Sequence, residues 1–239
     1  MRFSSVLSIF KNSLKKIWSL KENFKVIFNY FFVSSINYHK TPKVYYGGML
    51  KGGIGGPSVK IKKLEKFFPE NNWKFNIIYI LSNSIYLNSL SINFIKKKGL
   101  PIILNQNGVF YPEWFEGNWQ KENSRMAQLY HSADYLLWQS NFCKKASEKF
   151  LGKRNVGGEI LYNSVDTSTF TPRAKYANKK FTFLITGNIR KKNNYRISSV
   201  LYAMEEIVRG NKNISLIIAG AIEDRKYFSN KVKSLKLED

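Results

Sequence analysis

Six glycines crowd one short stretch, at positions 47, 48, 52, 53, 55 and 56, between an apolar run at 43–46 and Pro57. Glycine lets a backbone approach a ligand closely, and the N–H groups that open a following helix favour a phosphate. The spacing is not the dinucleotide fingerprint, because Ser58 stands where a third glycine belongs. Nor is it a P-loop, since no Gly-Lys-Ser/Thr follows. The stretch reads either as a phosphate cradle or as a flexible surface loop. A second stretch, Ile160-Leu161-Tyr162-Asn163-Ser164-Val165-Asp166-Thr167-Ser168-Thr169-Phe170-Thr171-Pro172, ends an apolar run in an Asn/Ser/Asp turn, then carries a phenylalanine read as buried and a proline. As a single acid, Asp166 suits a turn residue or helix cap as well as a ligand contact.

Other chemistries have little to work with. No Asp-x-Asp occurs, so no carboxylate pair offers itself to a metal, and His39 and His131 are the only histidines. His131 precedes a strand and reads as a partly buried structural residue; His39 lies in a loop before Pro42. No serine, histidine and acid set stands in a nucleophile elbow. The single Cys143 cannot form an internal disulfide, which fits a reducing compartment.

These residues need elements to hold them. A parallel-type strand is expected at 43–46, with a helix face of Val59, Ile61, Leu64, Phe67 and Phe68 behind it. The near-continuous apolar run 75–81 is a strand covered on both faces. A helix at 85–94 ends in Lys96-Lys97-Lys98-Gly99, and 101–104 is the next strand. Residues 105–118 read as a loop, 123–131 and 142–151 as helices, and 135–138 and 159–162 as strands. Then 181–186, 195–208, 214–219 and 224–235 alternate strand and helix again. This pace means a parallel α/β sheet, twice over. The expected organisation is a basic N-terminal helix (1–40), a first Rossmann-like domain (41–170), a linker (171–180) and the opening part of a second such domain (181–239).

The motif order resembles family 4 of the retaining GT-B glycosyltransferases. The stretch 160–172 is similar to that family's asparagine-glycine-valine-aspartate motif with its trailing phenylalanine and proline; Ser164 replaces the glycine. Residues 133–144, with Ser140 placed as a helix cap, resemble the strand and serine-led helix upstream of it. Phe183-Leu184-Ile185-Thr186-Gly187 resembles the opening strand of the donor domain, and 216–220 the next strand with its glycine. The resemblance covers about residues 43–235. It implies a GT-B fold and a retaining, metal-independent transfer of sugar from a nucleoside diphosphate to a cell-envelope polysaccharide or lipid-linked acceptor. No cofactor is implied beyond the nucleotide sugar, which is the substrate.

The resemblance also implies site residues. The donor diphosphate would meet Gly53, Ile54, Gly55 and Gly56, with Arg190 and Lys192 as the cations; Asn188 takes the place of the family's arginine. Asn163 and Asp166 would face the cleft. Where many members carry a histidine, this chain has Asn105-Gln106-Asn107, amides able to hydrogen-bond a sugar. The family's paired donor-gripping glutamates find no counterpart, so the chain reads as C-terminally truncated. Another reading is therefore an inactive half that binds membrane and needs a partner for catalysis.

The net charge of +23 asks for an anionic partner. Lysines number 31 against 8 arginines, and base reading leans on arginine, so specific nucleic-acid recognition is not expected. A nucleotide sugar, or an anionic membrane surface on the cytoplasmic face, fits better. Val6, Phe10, Leu14, Ile17, Phe24, Phe28 and Phe31 recur at helical spacing, with Lys11, Lys15, Lys16, Lys21 and Lys25 between them. Such a helix either lies on an anionic leaflet or packs its apolar stripe on the domain.

Overall fold

The computed structural model describes residues 3–33, 41–48, 56–82, 87–112, 115, 117–155, 157–172, 180–189 and 194–238, with the side chains of 3–12 and 15 outside that description. The chain divides into two compact units, Met1–Ser164 and Val165–Asp239. In the first, helix α1 (Phe3–Phe32) precedes five strands: β1 (Val44–Tyr45), β2 (Ile77–Leu81), β3 (Ile102–Gln106), β4 (Tyr135–Trp138) and β5 (Gly158–Ile160). They pair in chain order and all run parallel, with Val44 opposite Ile77, Ile78 opposite Ile102, Leu104 opposite Leu136, and Leu136 opposite Gly158. Between them lie α2 (Gly56–Leu64), α3 (Ser89–Lys97), α4 (Trp119–Ser132) and α5 (Asn141–Leu151). This is the α/β class expected of a GT-B-type chain.

The apolar runs become strands because both faces of the sheet are covered. Alternate residues point to opposite faces. Tyr45, Ile78, Ile80, Ile102, Leu104 and Leu136 join Ile92, Ile95, Met126 and Leu129 in the main core. Val44, Tyr46 and Leu81 point the other way, onto Ile61 of α2. Full burial of each such side chain contributes roughly 1.5–3 kcal/mol. Helix ends follow local chemistry: Asn88, Asn118 and Ser140 each cap a helix by accepting from the backbone N–H three residues on. Gly99, at φ 71°, closes α3, a conformation that suits glycine.

Three expectations give way to the structure. Helix α2 stops at Leu64, so Phe67 and Phe68 fall in and beyond the following turn and stand exposed, as does Val59; Ile61 alone of that face is fully buried. Strand β3 runs two residues further than expected and carries Asn105 and Gln106 into the sheet, where Ser82 N–H and Gln139 N–H donate to their carbonyls. Phe170 is exposed rather than buried: it closes the turn that starts at Asp166, its N–H donating to the Asp166 carbonyl, and its ring faces solvent.

The second unit holds β6 (Phe181–Thr186) and β7 (Ile214–Ala219), paired parallel over their whole length, with α6 (Asn194–Gly210) and α7 (Arg225–Ser234). Its core is Ile189, Ile197, Leu201 and Phe228. Gly220 is tightly placed: a Cβ there would collide with the Gly187 carbonyl oxygen. Of the linker expected at 171–180, residues 173–179 lie outside the described residues.

Candidate functional site

In open parallel sheets, ligands collect at the carboxyl ends of the strands. Two cavities lie there in the first unit. The first, of about 570 Å³, is lined by Gly56, Lys60 and Lys63 from α2, by Tyr79, and by Asn107, Gln139 and Asn163 from the ends of β3, β4 and β5. No carboxylate occurs among its described lining residues. Lys60 lies half-buried and its ammonium donates to Asn105 Oδ1 at 3.1 Å. Burial holds the Lys60 ammonium below the ordinary lysine value. Among the described residues it has no carboxylate partner. A desolvated cation held by a neutral amide, at the first turns of a helix, is an arrangement that an anion would complete.

Asn105 is fully buried, and its other amide atom donates to the Tyr79 hydroxyl at 3.0 Å. Both ends of the amide are thereby fixed, which aims its carbonyl oxygen at Lys60. Burial raises the Tyr79 hydroxyl above its ordinary pKa, with the Asn105 hydrogen bond opposing that rise, so Tyr79 stays neutral.

The second cavity, of about 990 Å³, has an aromatic wall: Tyr111, Trp119, Phe142, Phe150 and Tyr162. Trp119 and Phe150 meet edge to face at 5.9 Å. The two cavities share Asn107, Gln139, Tyr162 and Asn163, so polar amides stand at the boundary between a cationic and an aromatic chamber. Ser140, the cap of α5, lies on the second cavity's wall beside the buried Cys143, whose thiol donates to the Gln106 carbonyl at 3.0 Å. Burial pushes that thiol's pKa up, so it is an inert packing group.

No family model and no curated protein matches this chain. Among solved structures it is similar to Anabaena Alr3699/HepE. The structure of that protein in complex with UDP matches at TM-score 0.50 and 12% identity, over 75% of this chain and 49% of that one. The structure in complex with UDP-glucose matches at TM-score 0.50 and 12% identity, over 76% and 49%. The likeness establishes the fold. This chain spans about half the length of the protein it matches.

The residues singled out from the sequence fall in different places. Asn107 and Asn163 line both cavities, and Gly56 lines the first. A Cβ on Gly56 would meet nothing within 4 Å, so the space beside it is open. Asn105 reaches the first cavity through Lys60. Gln106 is fully buried; its amide nitrogen donates to the Gly108 carbonyl at 2.6 Å. Asp166 belongs to the second unit, and its carboxylate is taken up by its own turn, accepting from Ser168 N–H at 3.0 Å, Ser168 Oγ at 2.6 Å and Thr169 Oγ1 at 2.8 Å. The Ser168 hydroxyl, then that of Thr169, pull its pKa down to about 2. Ser164 does not adopt positive φ; Lys236 is the only non-glycine that does among the described residues. Gly53, Ile54, Gly55, Arg190, Lys192 and His39 lie outside the described residues. His131 is exposed, with Nε2 2.7 Å from the Leu151 carbonyl, a brace between α4 and the end of α5.

Sequence reading passed over Lys60 and Lys63. They are two of many lysines in a chain of charge +23, and only the fold shows that they share a cavity with no acid among its described lining residues. Tyr111, Trp119, Phe142 and Phe150 were likewise scattered aromatics. The available signal was spacing: Lys60 and Lys63 stand three apart, on one helix face, just after the glycine cluster.

Proposed function

We propose that this chain is part of a glycosyltransferase whose first unit takes the diphosphate of a nucleotide sugar in the cavity of Lys60 and Lys63 and a glycan or lipid-linked acceptor along the aromatic chamber. The observation that carries this reading is the juxtaposition itself: a cavity whose described lining carries lysines and no carboxylate, and an aromatic one, joined at Asn107, Gln139 and Asn163. The complexes of the fold relative with UDP and UDP-glucose support it.

In the transfer, the bond from the sugar's anomeric carbon to the donor phosphate oxygen breaks and the bond to the acceptor oxygen forms. The acceptor proton leaves with the departing diphosphate. Negative charge grows on that phosphate, and in this reading Lys60 and Lys63 are the cations that meet it; metal independence is an expectation that the family resemblance brings. Gly53, Ile54 and Gly55, which precede Gly56 in sequence, are further proposed diphosphate contacts, and Arg190 and Lys192 are the proposed cations of the second unit. Retention of anomeric configuration is the expectation that the family resemblance brings.

Calorimetric titration of the chain with UDP and with UDP-glucose tests this reading. Saturable binding of both, weakened in Lys60→Met, is the expected result. No heat of binding from either nucleotide at millimolar concentration would overturn it.

A further inference from the structure

A surface helix ordinarily turns its apolar stripe inward and its polar face to water. Helix α1 does the reverse. Its inward face carries Glu22, Asn23, Lys25 and Asn29, all buried. Lys25 donates to both Glu22 carboxylate oxygens at 2.9 and 2.8 Å and to Asn72 Oδ1 at 2.7 Å. The Tyr45 hydroxyl donates to Glu22 Oε2 at 2.6 Å. Asn23 Oδ1 accepts from Ser91 Oγ at 2.5 Å and from Asn88 N–H at 3.0 Å, and Asn29 donates to the Trp73 carbonyl at 2.7 Å. This polar network, with Val26, fixes the helix on the first unit.

The outward face is apolar. Ile17 is 63% exposed, Leu20 71%, Phe24 58%, Phe31 63% and Phe32 74%. At 100° per residue, Ile17, Leu20, Phe24 and Phe31 fall on one side, opposite Val26. The patch continues onto the body: Phe24 and Phe28 meet the exposed Trp73 edge-on at 6.4 and 5.2 Å, and Phe31 meets Phe94 at 5.7 Å. Contiguous exposed aromatics of this kind mark an interaction surface. Its charge names the partner. Lys16 and Lys21 on the helix and Lys74 beside Trp73 are exposed. The one acid of the helix, Glu22, is buried and already paired with Lys25.

We propose that this outward face of α1 docks on an anionic lipid surface. The aromatic and aliphatic side chains enter the headgroup boundary, and the flanking lysines meet lipid phosphates. The helix would then lie between the domain, gripped by hydrogen bonds, and the leaflet, gripped by apolar burial. No helix among the described residues is long and apolar enough to cross a membrane, so the docking is to the surface. This inference does not depend on the transfer reaction.

Vesicle co-sedimentation of the 239-residue chain tests it, with phosphatidylcholine vesicles and with the same vesicles carrying phosphatidylglycerol. The chain should pellet with the anionic vesicles and stay in solution with the neutral ones. The double variant Phe24→Ser/Phe31→Ser should bind at least tenfold more weakly while keeping its helical circular dichroism and cooperative melting, because both side chains are mostly exposed. Lys16→Gln/Lys21→Gln should also weaken binding to anionic vesicles. In the wild type, brominated lipid should quench tryptophan fluorescence, a readout that needs no variant. The proposal is overturned if the chain stays in solution with anionic vesicles, if the phenylalanine variant binds like wild type, or if bromolipid leaves the fluorescence unchanged. A lipid-free dimer that the phenylalanine variant dissolves would overturn it in favour of a second copy as the occupant.

Discussion

The Lys60 ammonium donates to Asn105 Oδ1 at 3.1 Å, and that amide is itself fixed by donating to Tyr79. A lysine inside a protein ordinarily finds a carboxylate; this one meets an amide whose other end is occupied. The pair therefore presents a positioned, partly desolvated positive charge to the cavity of Gly56, Lys63 and Asn163. Such a charge interacts with an anion more strongly than one in bulk water does.

A proton should be taken up when a diphosphate binds at alkaline pH. Burial lowers the Lys60 pKa from 10.5, and an adjacent anion raises it again. Between the lowered value and 10.5, the free folded chain holds fewer protons at Lys60 than the unfolded chain does. Stability should rise with pH through that window. Calorimetry of UDP binding in buffers of different ionisation enthalpy should show uptake in the wild type and its loss in Lys60→Met.

Asp166 should titrate near 2, well below an ordinary aspartate. Its depressed value means that the stabilisation is present above about 3.8 and is lost as pH falls through about 2. Carbon-detected NMR of the Asp166 carboxyl checks this. Replacing Ser168 with alanine removes the hydroxyl donor, the largest contribution, while keeping the backbone N–H at 168, and should move the midpoint up toward 3.8.

Glu22→Leu should destabilise the first unit by about 3–5 kcal/mol, because it leaves the Lys25 charge buried without its partner. The double change Glu22→Leu/Lys25→Met should recover much of that loss. Chemical denaturation of the two variants checks both statements. A double variant no more stable than Glu22→Leu alone would show that Lys25 is not the source of the cost.

Trp119→Ala should raise the acceptor KM without altering UDP affinity, since Trp119 lines only the aromatic chamber. Aromatic faces cover apolar sugar or lipid surface and do little for a diphosphate. Transfer assays paired with UDP titrations separate the two effects.

Much of the fold was legible because parallel strands are continuous apolar runs, and 75–81, 135–138, 181–186 and 214–219 have no competing periodicity. Ser140 as the cap of α5 was equally plain. What stayed hidden depended on contacts distant in sequence. Strand β3 reaches Gln106 because neighbouring strands supply ladder partners that its polar residues do not advertise. Helix α1 kept two readings open, and its inverted orientation rests on Glu22 meeting Tyr45 and on Asn29 meeting Trp73, partners 23 and 44 residues away. Asn107 and Asn163, which line the candidate cavities, were legible as amides at strand ends. Lys60 and Lys63 were not, because a chain so rich in lysine gives no local sign of which two line a cavity.

The most direct test of the cationic cavity is the affinity for UDP of Lys60→Met beside that of the wild type. Losing one charge-assisted contact of roughly 1.5–3 kcal/mol should weaken binding about 10- to 100-fold, with Lys60→Arg retaining most of it. Tight wild-type binding that Lys60→Met leaves unchanged would contradict the assignment of the diphosphate to this cavity.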